Sequence, residues 1–339
     1  MNKYISRRVG LALVSIWGVA TIVFFLSKLI PGDIARIAAG RTATAEQVAQ
    51  VREKLGLDEP LLAQYGAFLG RAVRGDLGTS AFTHQSVVSD IAAVLPTTVQ
   101  LVIVSMLITL LIAVPLGVVA AVNEGRAADT AARIIFVIGG GIPVFWLAIM
   151  LRWLLGANLG WFPISGTNGF GMSPPTVTGF TLADSLVFGS VANFVDSFLH
   201  LLLPALALSA PFVATLARNV RSNMMSALKS DFISFAIAKG VPPRRIIVRH
   251  GLRSAMGSTL TLVGMQFGWM ISAALLVETV FSLPGVGSYL HMGIINQDTF
   301  SVLGGVLVIG IVFICLAVVV DVLQMAIDPR VRLSQVGAP

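Results

Sequence analysis

The chain has 339 residues, of which 56% are hydrophobic and only 12% charged, and its mean hydropathy is +0.88. A soluble globular protein carries about 25% charged residues, so this composition excludes an ordinary soluble enzyme and excludes disorder. The formal charge of +7 would suggest a nucleic-acid partner in a soluble protein, but here it is read through the rule that basic residues orient membrane helices. The single cysteine, Cys315, lies in an apolar run and excludes an intramolecular disulfide framework.

Six charge-free apolar runs are long enough to cross about 30 Å of hydrocarbon as helices. They are Val9 to Ser27, Ile91 to Asn123 (apolar from about Thr98 to Val122), Ile134 to Leu151, Ser197 to Ala217, Ser254 to Val277 and Thr299 to Val320. None shows the alternation of barrel strands. The first has the basic flank of a signal peptide, but its apolar core is too long and no small-residue cleavage site follows, so it reads as an uncleaved span. The fold class expected is an all-α polytopic membrane protein with six transmembrane helices and both termini cytoplasmic. With the N-terminus inside, 15 of the 23 Lys and Arg residues fall on inside segments, and the mirror arrangement would violate the positive-inside rule.

Between the first two spans, Gly32 to Pro96 reads as a small helical extracytoplasmic cap. Thr44 with Gln47 three residues on predicts a capped helix from Ala45 to Leu55. Gly56 stops it, Pro60 opens a second helix to about Val73, and Gly75 to Gly78 reads as a turn. Trp153 to Ala183 carries no charge and is rich in Gly and Pro, which reads as an outer loop lying on the membrane surface or on a partner. The expected organisation is a cytoplasmic N-terminus and first span over 1–30, the cap over 31–97, a five-span core over 98–326 and a cytoplasmic tail over 327–339.

Within the core, residues 218–255 form a basic inside segment with one acid, Asp231. Asp231 is placed to N-cap a short helix, Phe232 to Lys239, which Gly240 ends and Pro242-Pro243 prevents from continuing. A cytoplasmic helix that presents Phe232, Phe235 and Ala236 calls for a groove to fill. A positively charged loop that only sets topology is the plainer alternative.

Polar residues in the spans are few. Gln266 would line a path or bond a neighbouring helix. Glu278, at the outer end of the fifth span with Phe281, Pro284 and Gly285, would gate the path, pair with a partner's cation, attract a peptide amine, or simply cap or snorkel. Asp321, late in the sixth span, is either a functional intramembrane acid or an interfacial structural one. His84, His200, His250 and His291 have no zinc-site spacing, so no metal site is expected. No nucleophile elbow, H-E-x-x-H or phosphate-binding loop occurs, and the dipeptide Gly-Lys is absent. A stand-alone secondary transporter would call for more spans and an internal repeat. An intramembrane enzyme would call for a catalytic pair deep in two spans.

The inside stretch Asp231-Phe-Ile-Ser-Phe-Ala-Ile-Ala-Lys-Gly240, followed by Arg244-Arg245 and His250-Gly-Leu-Arg253, resembles the EAA-type coupling loop of ABC importer permeases. It is similar in particular to the dipeptide/oligopeptide/nickel branch, which reads D-[YF]-[IV]-x-x-A-x-A-K-G and then H-A-L-R-N-A. Other segments fit the same branch in order and spacing: Ile30 to Asp33, Leu55 to Tyr65, Gly75 to Ser80, Leu95 to Thr98, Glu278 to Phe281, Pro284 to Gly287 and Asp328 to Arg330. It departs from that pattern in three places: Ser234 and Phe235 stand where the motif has its glutamate, Gly251 replaces an alanine and Ser254 an asparagine.

The resemblance, to the B-type permease subunits with a long first outer loop, implies a machine of several chains in a prokaryotic inner membrane. A second permease subunit completes the path, two cytosolic ATPases carry ATP and Mg, and an extracytoplasmic binding protein delivers a dipeptide or short oligopeptide. Nickel chelates, opines or oligosaccharides are the alternative solutes. No cofactor is expected in this chain, and its surroundings are membrane lipid rather than nucleic acid. The resemblance implies ATPase coupling through Asp231, Phe232, Phe235, Ala236, Ala238, Lys239, Gly240 and Arg245.

Overall fold

A computed structural model describes residues 2–29, 34–39 and 43–327, with the side chains at 2–5, 34, 38, 321 and 323–327 outside that description. The motifs at Ile30 to Asp33 and Asp328 to Arg330, and the tail, lie outside the described residues. The helices in chain order are α1 (Asn2–Leu29), α2 (Ile34–Ala39), α3 (Ala45–Lys54), α4 (Leu61–Val73), α5 (Val87–Val122), α6 (Ala127–Gly141) and α7 (Val144–Leu151). There follow α8 (Thr181–Val187), α9 (Val191–Leu228), α10 (Asp231–Ala238), α11 (Pro243–Arg245), α12 (Leu252–Phe281), α13 (Val286–Ile295) and α14 (Thr299–Ile327). The π-helical stretches Arg152–Asn158 and Ile246–Gly251 extend α7 and join α11 to α12. Among the described residues the only β pairing is an isolated bridge, Thr79 with Ser86.

Five helical stretches are long and apolar enough to span a membrane, and the pair α6–α7, bent by 99°, passes the same test when its halves are taken together. The straight third span expected over Ile134 to Leu151 is therefore corrected. Three glycines end α6, and Pro143 forces the residue before it out of the helical region, so Ile142 sits at φ −83°, ψ 125°. Two further corrections follow from helix chemistry. The charge-free outer loop is helical at both ends, through Asn158 and again in α8. The residues after Pro284-Gly285, where no helix was expected before the sixth span, form α13. The expected boundary at 97/98 falls inside α5, which runs unbroken through Pro96.

Helices α5 and α9 make the most extensive contact and form the spine, with α6, α7 and α12 packed on α9 and α1 packed on α14. At Gly117 of α5, a Cβ would stand 2.7 Å from the Ala217 carbonyl and from Val220 of α9, so only glycine permits this approach. Leu101, Val102, Leu203, Leu208, Met270 and Phe281 fill one core, and Ala113, Phe136, Leu216, Val220 and Met224 another further along the spine. Apolar side chains on α1 and α6, such as Leu13 and Val137, face outward, as expected of helices bathed in lipid or covered by another subunit. The cap attaches to the end of α1: Tyr65 and Phe68 of α4 pack on Phe24, and Tyr65 shares a 2.6 Å hydrogen bond with Thr21. In α3 the reciprocal Thr44–Gln47 capping box expected from sequence is present.

Candidate functional site

The coupling segment lies between two long helices, with α9 entering it and the π stretch and α12 leaving it. The sequence placed Asp231 as N-cap; Ser230 takes that position with extended backbone (φ −80°, ψ 154°), and Asp231 becomes the first helical residue. The Ser230 hydroxyl turns back to the Ala227 carbonyl, so it makes no cap bond of its own. Lys239 is the C-cap and Gly240 follows in the left-handed region at φ 73°.

One side of α10 is anchored: Ile233 is buried, and the helix packs on the π stretch, where Ile246 and Gly251 are buried too. The other side is open. Phe232 is 47% and Phe235 62% exposed, and the Lys239 ammonium stands 4.4 Å from the centroid of the Phe235 ring. Ala238 and Arg245 are exposed and Ala236 is half-buried. The structure thus brings together all eight residues that sequence singled out for coupling.

The stem of this segment is fixed by a contact the sequence reading missed. Asp129, in the first turn of α6 and almost fully buried, accepts bonds from Arg221 of α9 at 2.6 and 2.8 Å and from the Gly125 amide at 3.1 Å. Arg218 donates to the Phe136 carbonyl at 3.3 Å. No local signal ties residue 129 to residue 221; only the positions of Arg218 and Arg221 at the start of the inside segment hint at a partner.

At the opposite end, the candidate gate residues form a buried turn. Glu278 accepts a 2.7 Å bond from the Gly287 amide, and Thr98 of α5 accepts one at 2.9 Å from Val286. These two groups satisfy the first free amides of α13, and the carboxylate complements the positive end of that helix. Of the options open from sequence, Glu278 thus occupies the capping one in this conformation. A side chain at Gly287 would strike the Leu275 carbonyl, at 2.6 Å. Phe281 and Gly285 are buried and Pro284 is exposed. Gln266, in mid-α12, is fully buried and donates to the Phe212 carbonyl of α9 at 3.3 Å, which is the helix-bonding alternative. Asp321 belongs to α14, and its side chain is outside the described residues.

A polar cluster beside this turn was also missed. Asp298 N-caps α14 through the Ser301 amide at 3.1 Å. It also accepts from the hydroxyls of Ser80 at 2.6 Å and Ser301 at 2.7 Å, and from the Phe82 amide at 3.3 Å. Burial alone would raise its pKa, but these bonds hold the carboxyl below its ordinary value. Tyr289 of α13 extends the cluster to Ser301 at 2.8 Å and to Asp90 of α5 at 3.3 Å. An acid directly before Thr-Phe-Ser at a helix start was the available signal.

Asp184 organises the outer loop in a similar way. It accepts from the Val177, Thr178 and Gly179 amides at 3.0 to 3.3 Å and from the Thr178 hydroxyl at 2.7 Å. Its burial opposes ionisation, yet the bonds lower its pKa on balance. The loop packs on its own chain: the Gly166 amide donates to Phe281 at 3.1 Å, the Gly169 amide to Asp196 at 2.6 Å, and Arg152 to the Val280 carbonyl. Among the described residues no cluster of His, Cys, Asp or Glu could hold a metal ion.

Comparison with known proteins bears on the whole chain. Residues 113–333 match the family model described as binding-protein-dependent transport system inner membrane component. Residues 1–102 match that of the N-terminal region of such components. A probable D,D-dipeptide transport system permease protein of Escherichia coli is 37% identical over 95% of this chain and 95% of its own length. A di/tripeptide transport system permease protein of Pseudomonas aeruginosa is 35% identical over 98% and 99%. A glutathione transport system permease protein of Salmonella choleraesuis is 33% identical over 98% and 99%. A chain matched this fully, with several apolar helices long enough to cross a membrane, is a multi-pass inner-membrane permease subunit that works with other subunits of an ABC transporter and leaves ATP hydrolysis to separate ATPases. It belongs to the family of binding-protein-dependent transport system inner-membrane components.

Proposed function

We propose that this chain imports dipeptides or short oligopeptides as one of two path-forming subunits, its partner being a second and different permease chain. Relatives that carry di- and tripeptides, D,D-dipeptides and glutathione over nearly full length support a peptide substrate. Two cytosolic ATPases bind ATP and Mg, and an extracytoplasmic binding protein delivers the peptide to the cap end. The N-terminus, the coupling segment and the tail face the cytoplasm.

The observation that carries the coupling reading is the two-sided character of α10. A helix anchored by Ile233 leaves Phe232 and Phe235 open between the long helices α9 and α12. Such a face fits a groove on an ATPase, with Lys239 and Arg245 at the rim. Closure of the ATPase pair moves α10 as a rigid body, and α9 and α12 follow because they are its stems and because Gln266 bonds them to each other. ATP acts through its different contacts in the two states.

The test is a pull-down of the complex from membranes carrying Phe235→Asp or Gly240→Asp. We expect at least tenfold less ATPase to copurify and peptide uptake to be lost, with the permease still inserted at normal abundance. Normal ATPase recovery together with normal uptake in either variant would sink the coupling assignment. Intact coupling with no uptake of any di- or tripeptide would instead sink the substrate.

A further inference from the structure

The bundle has a recess that plays no part in coupling or in the buried turn. It lies at the cap end, between the last turns of α1, the cap helix α4 and the start of α14. Its walls are apolar, made chiefly by Phe24, Phe68, Leu303 and Leu307. Lys28 and Arg71 stand among its lining residues, with Asp76 as the acid.

Lys28 is held in place. The amide of Gln64 donates to the carbonyls of Leu57 at 2.9 Å and Glu59 at 2.7 Å, which aims its oxygen at the Lys28 ammonium, and Lys28 donates to it. The ammonium also lies 5.4 Å from the centroid of the Phe24 ring. A lysine at the end of a span ordinarily snorkels freely into water; this one is fixed beside an apolar recess. The Asp76 carboxylate accepts a 3.0 Å bond from the Gly78 amide.

The position defines the depth. The charge-free run of α1 ends at Ser27, so Lys28 stands where a membrane's hydrocarbon would meet its headgroups. The recess has a volume of about 80 Å³. A cavity of roughly 150 Å³ is what holds a benzene ring, so this one takes a few methylenes of a chain and not a folded solute. Two cations above an apolar slot at headgroup level select an anion with a hydrocarbon tail.

We propose that this recess is a binding site for an anionic phospholipid. The phosphate is held by Lys28 and Arg71, and an acyl chain lies against Phe68, Leu303 and Leu307. The site joins the cap to α1 and α14, so a bound lipid would brace the cap against the bundle. It is independent of the peptide assignment.

The test uses the complete transporter in lipid nanodiscs doped with phosphatidylglycerol or phosphatidylcholine, each carrying a photoreactive acyl chain, followed by mass mapping of labelled peptides. We expect phosphatidylglycerol to label the Phe24, Phe68 and Leu303 segments about fivefold or more above phosphatidylcholine, each cation near an anionic lipid being worth roughly that factor. The Lys28→Gln/Arg71→Gln pair should abolish the difference. Leu303→Trp, which fills the slot and keeps both cations, should remove the label and decides the matter if the charge variant elutes as an aggregate. Equal labelling by the two lipids, or labelling unchanged in the variants, would show ordinary boundary lipid and overturn the proposal. Loss of label with excess inorganic phosphate would overturn it too, since the site would then hold a soluble anion.

Discussion

Buried carboxylates in this chain act as anchors for backbone amides. Asp184 is the clearest case, with three loop amides and one hydroxyl converging on a side chain that is 1% exposed. Hydrogen bonds to a charged group contribute about 1.5–3 kcal/mol each, and they share one loop, so Asp184→Ala should cost about 2–4 kcal/mol. The folded pKa of this group is lowered. Its contribution is therefore complete above the unfolded carboxylate value of about 3.9 and is lost as pH falls through the folded value. Thermal unfolding in detergent from neutral pH downward should show wild type losing stability at the acid end, with Asp184→Asn starting lower and changing less. A variant with the same acid slope as wild type would show that Asp184 is not the group responsible. Legibility at this scale followed sequence distance. The Thr44–Gln47 box could be read because its partners are three residues apart, whereas Asp298 and Ser80 meet across 218. Glu278 was readable as an unusual acid at a span end, but its partner Gly287 lies in the first turn of α13, a helix that hydropathy does not reveal.

Among the elements, the apolar runs located the helices because hydrocarbon demands about 20 apolar residues per crossing. They did not show where a crossing breaks. The run from Ile134 to Leu151 is uniformly apolar, yet backbone geometry at Gly141-Ile142-Pro143 turns it by 99°. Helix α13 escaped notice for the converse reason: its ten residues are too few to span, and Pro284-Gly285 reads as an end instead of a beginning. What keeps the broken pair in register is the Asp129–Arg221 contact between α6 and α9. Removing one member of a buried pair leaves the other uncompensated and costs about 3–5 kcal/mol; replacing both with apolar groups is often neutral. Because Arg221 retains 18% exposure, Asp129→Ala should cost about 2–4 kcal/mol by the same reasoning. The double variant Asp129→Leu/Arg221→Met should recover most of it. Melting temperatures of the purified chain would check this, and a double variant no more stable than the single one would show that the pair positions α6 in some other way.

At the level of the whole molecule, the bent pair decides how many times the chain crosses. Asp129, near the start of α6, is pinned to Arg221 at the coupling end. Arg152, just past α7, bonds the Val280 carbonyl, and Gly166 bonds Phe281, at the end of α12 that joins the cap through Thr98 and Ser80. The pair therefore runs from one end of the bundle to the other, and with five straight helices it makes six crossings. The crossing made by α5 puts the cap and the α5–α6 connection on opposite faces, and the proposed function places the face rich in Lys and Arg, near Arg126, Arg133 and the segment after Arg218, in the cytoplasm. This can be tested with single cysteines in a Cys315→Ser background. Glu59→Cys, exposed on the cap, should react with a membrane-impermeant maleimide in intact spheroplasts. Ala127→Cys, exposed at the start of α6, should react only after permeabilisation. The reverse pattern would invert the molecule and remove α10 from the reach of any cytosolic ATPase. Labelling of both sites in intact spheroplasts would mean that α5 does not separate the cap from the start of α6.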